Sequence, residues 1–176
     1  MKIAVLGSAP SSVALAPYKD KSYTEWAKGG AKQYPPSPFT NDHWELWGCS
    51  PGAFGIAPRA TAWFEVHRWE PGQAWFSPEY CQWLREFDGP VYVGRPVPEV
   101  KNHVVYPLAE IEEIFSAYFL TSSLSLMFAL AIKKIEDARK AGDNGLHTIG
   151  MWGVDMAATE EWNFQRPGCQ FFILEA

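Results

Sequence analysis

The stretch Lys2–Ser12 reads "KIAVLGSAPSS". Ile3 to Leu6 is a short, unbroken apolar run, the pattern of a strand buried on both faces of a parallel sheet. It stops at Gly7, which permits a positive φ or a close backbone approach. Ser8, Pro10, Ser11 and Ser12 follow. A helix opening at Ser11 or Ser12 would aim its free amides at an anion. The stretch is neither G-x-G-x-x-G nor a Walker A loop, because the second glycine and the lysine are missing. A phosphate or ribose contact fits it, and so does a plain turn.

The same alternation continues downstream. "WELWGCS" (Trp44 to Ser50) reads as a second strand and "ATAWFEV" (Ala60 to Val66) as a third. "SPEYCQWLREF" opens a helix with Ser77 as cap and Pro78 in the first turn. "PVYVG" and "HVVYP" are short strands, and "LAEIEEIF" is a short helix. From about Ser122 to Ala141, Leu124, Met127, Phe128, Ala131, Ile135 and Ala138 recur at helical spacing, with Glu136 and Lys140 as an i,i+4 pair. "LHTIGMWG" is a last strand, and "GCQFFILEA" is helix-like without a stop signal, so a further C-terminal strand or tail is expected beyond it. Strands alternating with helices predict a three-layer, Rossmann-like α/β domain with a mostly parallel sheet. One domain is expected over residues 1–176, with a long Gly/Pro-rich loop at about 18–43.

Composition narrows the function classes. The net charge is −5 without a basic block, which argues against general nucleic-acid binding. No apolar run approaches the roughly 20 residues of a membrane span. The N-terminal apolar stretch reads as a strand, not a signal peptide. Cys49, Cys81 and Cys169 are too widely spaced for a metal site or disulfide framework and read as reduced, buried thiols of a cytoplasmic protein. Cys169 is an isolated candidate nucleophile.

In an open α/β sheet, ligands bind beyond the carboxyl ends of the strands. Four segments are expected there: Gly7–Ser12; "GCSPG", with Ser50 as its polar residue; Thr121, Ser122 and Ser123 at the start of the long helix; and Gly153 with Asp155. The hydroxyls at Thr121–Ser123 suit a helix cap as well as a ligand. Asp155 suits a ribose, a metal or a base role. His67, at a strand end beside Glu65 and Arg68, is the best general-base candidate among the four histidines.

Taken in order, "VLGSAPSS", "WGCSPG", "LTSSLSLMFALAI" and "TIGMWGVDM" resemble the Rossmann-like superfamily of bacterial CMP-sialic-acid-dependent sialyltransferases and hydroxymethylpterin pyrophosphokinase-like proteins. The compact, Trp-rich chain is also similar in character to phage-encoded proteins. The resemblance implies nucleotide contacts from Gly7, Ser8, Pro10 and Ser11, near Ser50, at Thr121, Ser122 and Ser123, and at Gly153 and Asp155. The chain departs from the sialyltransferases in three places. Ser8 and Ala9 stand where they carry Asn-Gly, Ser50 lies close to where they place an Asn, and their tyrosine-bearing lid with its catalytic His has no counterpart. The expected function is nucleotide or nucleotide-sugar binding with glycosyl or other group transfer, with Glu65, His67 and Asp155 as catalytic candidates. One alternative is a non-catalytic protein, a homo-oligomer acting through exposed Trp69, Trp75 and Trp152. Another is metal-dependent pyrophosphoryl transfer, with a divalent metal on Asp155 and Glu160 or Glu161.

Overall fold

The computed structural model describes residues 1–18, 43–57, 59–155 and 160–176, and their side chains except at Pro10, Ser11, Glu160, Glu161, Trp162 and Phe164. The loop expected at about 18–43 falls almost wholly outside the described residues. Six strands form one sheet: β1 (Lys2–Leu6), β2 (Trp44–Cys49), β3 (Ala62–Glu65), β4 (Val91–Val93), β5 (His103–Val105) and β6 (Thr148–Trp152). Their order is β5-β4-β3-β2-β1-β6. Every pairing is parallel, so the sheet is more uniform than the expected mostly parallel one. The chain walks from β1 out to β5, then returns to pair β6 on the other side of β1. That reversal makes the β1/β6 junction the topological switch point, where a crevice opens beyond the strand ends.

The strand sequences explain the layering. Alternate side chains of one strand point to opposite faces. Ile3, Val5, Trp47, Phe64 and Tyr92 share one face and pack against Met127, Phe128 and Ala131. These three lie on the long helix α5 (Ser123–Lys140), and Phe172 of α6 (Glu160–Glu175) joins them. On the opposite face, Trp63, Val91 and Val93 pack against Tyr80, Cys81 and Leu84 of α3 (Pro78–Glu86). Ala4, Leu6 and Leu46 meet Ala16 and Tyr18 there. Helices therefore cover both faces, giving the three-layer arrangement the alternation predicts. The other α-helices among the described residues are short: α1 (Pro10–Val13), α2 (Ser50–Ala53) and α4 (Leu108–Ile114).

Local signals set the helix ends. Ser77 accepts a hydrogen bond from the Tyr80 amide at 3.2 Å, capping α3 as its sequence predicts. Ser122 accepts from the Ser125 amide at 3.1 Å, and the Ser125 hydroxyl accepts from the Ser122 amide at 2.9 Å. This reciprocal box fixes the start of α5. Two expectations are corrected. Glu136 pairs with Arg139 at 3.6 Å, one residue short of Lys140, while Lys133 takes Asp137 at 2.7 Å. Trp152 is not exposed: it is 7 % accessible and meets Trp44 edge-on at 5.5 Å, because β6 buries this residue on the same face as Leu6. Trp75 remains exposed. No described helix is long and apolar enough to cross a membrane.

Candidate functional site

The loops after β1 and β6 meet backbone to backbone. The Gly7 amide donates to the Trp152 carbonyl at 2.9 Å, and the Ala9 amide donates to the Gly153 carbonyl at 2.8 Å. The Gly153 amide donates to the Ser12 hydroxyl at 2.8 Å. Gly153 has φ +72°, and a Cβ on Gly7 would lie 2.3 Å from the Gly153 oxygen. The first loop thus spends the Gly7 and Ala9 amides and the Ser12 oxygen on closing the switch point. Ser12 acts as a staple between the loops. Helix α1 begins at Pro10, not at Ser11 or Ser12. The side chains of Pro10 and Ser11 lie outside the described residues.

Over the carboxyl ends of β1, β2, β3 and β6 lies a cleft of about 750 Å³. Gly7 and Ser8 line it from the first loop, Cys49 and Ser50 from the second, His67 from the third, and Gly153 and Asp155 from the last. Thr121, Ser122 and Ser123 close it from the start of α5. Five segments far apart in sequence therefore share one space, the four expected junctions and the His67 strand end. Asp155 is exposed and is the single carboxylate lining this cleft among the described residues. Among those residues no three His, Cys, Asp or Glu side chains group as a metal site. The side chains of Glu160 and Glu161 lie outside the description.

The α5 terminus is the most polar wall. A helix leaves its first amides without intrahelical partners. Here Ser122 takes the Ser125 amide, and the Leu126 amide reaches the Ser122 carbonyl at 3.0 Å. The amides of Ser123 and Leu124 meet no acceptor among the described residues, and both residues line the cleft. No acidic side chain occupies the first turn. The Ser123 hydroxyl lies 3.4 Å from that of Ser50, and Thr121 donates to the Gln165 carbonyl at 3.3 Å.

Ser50 itself is strained. Its φ is +60°, in the left-handed region where a side chain costs roughly 1–2 kcal/mol. The turn between β2 and α2 holds its hydroxyl at the cleft despite that cost. Ser50→Gly is therefore expected to stabilise the fold by about 1 kcal/mol, read as a higher denaturation midpoint at unchanged slope.

Behind His67 runs a buried chain of hydrogen bonds. The Trp63 indole donates to Tyr80 Oη at 2.8 Å, and Tyr80 Oη donates to Glu65 Oε2 at 2.5 Å. His67 Nδ1 lies 2.6 Å from Glu65 Oε1. Glu65 is 1 % accessible, whereas the His67 ring is half-exposed. A carboxylate only accepts, so Nδ1 is the donor of this pair. Burial and the Glu65 charge push the Tyr80 hydroxyl far above its ordinary range, so it stays a donor.

The three cysteines are free and buried. Burial first, then Glu65, raises the Cys49 thiol to about 12. Burial raises Cys169 to about 11, against a smaller opposing hydrogen bond from Ser122. Burial thus favours the protonated thiol at both positions at neutral pH. In the unfolded chain these thiols ionise from about pH 9, while the folded state holds their protons. Their contribution is therefore full below pH 9 and is lost as pH rises from 9 towards 12. Denaturation midpoints measured across that range should fall, and alkylation at pH 8 should be slow until the protein unfolds.

Several of these residues were out of reach of motif reading. Tyr80 and Trp63 carry the chain behind His67, and Gln165 reaches the cleft from α6. Val66, Leu124, Leu126 and Val154 add apolar wall. The one available signal was Glu65 standing two residues from Trp63 in an otherwise apolar strand, on the same face. Comparison with protein-family models, with curated proteins and with solved structures finds no match for this chain.

Proposed function

We propose that the cleft at the β1/β6 switch point binds a nucleotide or nucleotide-sugar and that the protein transfers a group from it. The observation that carries this reading is the α5 N-terminus: two amides without acceptors among the described residues, no acidic residue in the first turn, and the hydroxyls of Ser50 and Ser123 beside them. Such a terminus favours phosphate oxygens. The volume, about 750 Å³, lies within the range of small-molecule sites. The apolar residues Leu124, Leu126, Val66 and Val154 suit a base or sugar ring, and Asp155 suits its hydroxyls.

In the transfer step, the helix terminus stabilises negative charge developing on the departing phosphate. His67, held by Glu65, takes the proton of the attacking group through Nε2. The first-loop amides contribute little, since Gly7 and Ala9 already donate across the switch point.

Isothermal titration with CMP, CDP, ATP and GTP tests the reading. At least one should bind with a sub-millimolar constant. Ser123→Asp puts a negative charge at the helix terminus, where it suits the helix but opposes an anion. It should weaken binding at least tenfold and leave the denaturation midpoint unchanged or higher. No binding of any of the four at millimolar concentration overturns the proposal.

A further inference from the structure

The two edges of the sheet are not alike. β5 forms one of them. It has three residues, and its first amide, that of His103, is turned back onto the Val100 carbonyl at 3.2 Å. A short edge with a committed amide resists pairing with another chain. β6 forms the other edge and has five residues, Thr148–Trp152, with no charge and no proline among them. It lacks the devices that usually blunt an edge.

In a parallel ladder, alternate residues of a strand bond to the neighbour on one side. The Thr148 amide donates to the Met1 carbonyl at 3.0 Å, and the Trp152 carbonyl accepts from the Gly7 amide at 2.9 Å. With Ile3 beside Ile149 and Val5 beside Met151, the residues Thr148, Gly150 and Trp152 turn their backbone polar groups to β1. Ile149 and Met151 turn theirs away from it, and among the described residues no hydrogen bond takes them. Apolar side chains flank this row. Met151 is 37 % accessible, and Leu146, just before the strand, is 86 % accessible. Unpaired amides and carbonyls beside exposed apolar side chains are a template for a further strand.

The spacing of these groups selects the occupant. The two outward residues lie one on each side of Gly150. A second β6 laid antiparallel about a two-fold axis at Gly150 puts Ile149 of each copy opposite Met151 of the other. Both pairs are then of the hydrogen-bonded kind, in which facing residues exchange N–H···O bonds. Every outward amide and carbonyl of the strand finds a partner at that one register. Gly150 faces itself in a non-bonded pair, where the backbones come closest, and brings no side chain to the axis. The Ile149 and Met151 side chains share one face and meet across the seam. The strand is uncharged, so no like charges are brought face to face.

We propose that β6 is a dimerisation edge, through which two copies of the chain pair antiparallel and join their six-stranded sheets into one. The candidate cleft of each copy lies beyond the carboxyl ends of its strands, so the axis sends the two clefts to opposite ends of the joined sheet, where both stay open. The pairing is independent of what those clefts bind. A ladder this short stands at the small end of specific interfaces, which sets the expected dissociation constant in the micromolar range.

Sedimentation velocity of the full chain between about 1 µM and about 500 µM should show a dimer forming with concentration. Met151→Lys places a charge on the seam without removing a bond to β1. It should weaken dimerisation at least tenfold, while Met151→Leu stays within about twofold of the parent. Hydrogen exchange read by mass spectrometry does not depend on how the lysine variant folds. The Ile149 and Met151 amides of the parent should exchange freely in the monomer and at least tenfold more slowly in the dimer. A chain that stays monomeric throughout overturns the proposal. So does a dimer in which these two amides exchange as fast as in the monomer, or a Met151→Lys chain that dimerises like the parent. Protection of the two amides in the monomer also overturns it, because another part of the same chain then covers the edge.

Discussion

A Gly7→Ala chain is expected to lose about 3 kcal/mol of stability, from the upper range of overpacking costs. The new Cβ would stand 2.3 Å from the Gly153 oxygen and 3.0 Å from Val154 Cγ2. The atom in the way is backbone, so no rotamer change relieves the contact. Gly153 cannot retreat freely either. Its carbonyl accepts from Ala9, its amide donates to Ser12, and its own φ of +72° is already committed. Accommodating one methyl group means prying the β1 and β6 loops apart and weakening both bonds. Against a typical total of about 5–15 kcal/mol, that is a large share. Urea denaturation followed by tryptophan fluorescence measures it. A loss below about 1 kcal/mol would show that the two loops are not rigidly joined. Because this junction forms one wall of the cleft, ligand binding should fall with it.

Glu65→Ala is expected to cost a similar amount, about 3 kcal/mol, for a different reason. It removes the acceptor of the buried Tyr80 hydroxyl and the partner of His67 at 2.6 Å. Hydrogen bonds to charged groups are worth about 1.5–3 kcal/mol each, and a buried donor left without an acceptor carries its own penalty. The half-exposed His67 ring can regain water, so the Tyr80 side of the chain dominates the loss. That division is testable by a double-mutant cycle. Tyr80→Phe combined with Glu65→Ala should recover about 1 kcal/mol relative to the sum of the single changes. Strict additivity would mean that the Tyr80–Glu65 bond at 2.5 Å contributes nothing of its own. If the proposed transfer runs through His67, its rate should fall in Glu65→Ala beyond what stability explains, since the ring loses its partner at 2.6 Å.

The legibility of this chain in its sequence varied by element. β1 was legible because a strand buried on both faces must be apolar throughout, and Ile3 to Leu6 is. α5 was legible because eighteen residues give the apolar spacing room to repeat, and Ser122 marks its start. The ion pairs along it were less so. Glu136 has cationic neighbours at both i+3 and i+4, and side-chain rotamers choose between them. Trp152 misled because a tryptophan next to a glycine at a strand end looks exposed until the strand has neighbours. Placing β6 beside β1 buries it against Trp44. In the same way, no local pattern shows that Ser12 accepts from the Gly153 amide, 141 positions away.

What the sequence alone determined is the set of strand–helix junctions and the residue types waiting at each. Glycines, hydroxyls, His67 and Asp155 follow the strands because local pattern and turn chemistry are written in neighbouring residues. Which junctions face one another was decided only in three dimensions. The order β5-β4-β3-β2-β1-β6 brings Gly7 against Gly153 and aims α5 at Ser50. It also lets Tyr80, on a helix of the opposite face, support the Glu65–His67 pair. Those relations depend on the pairing of distant strands and on which sheet face each helix covers, and neither is encoded in any short window of residues.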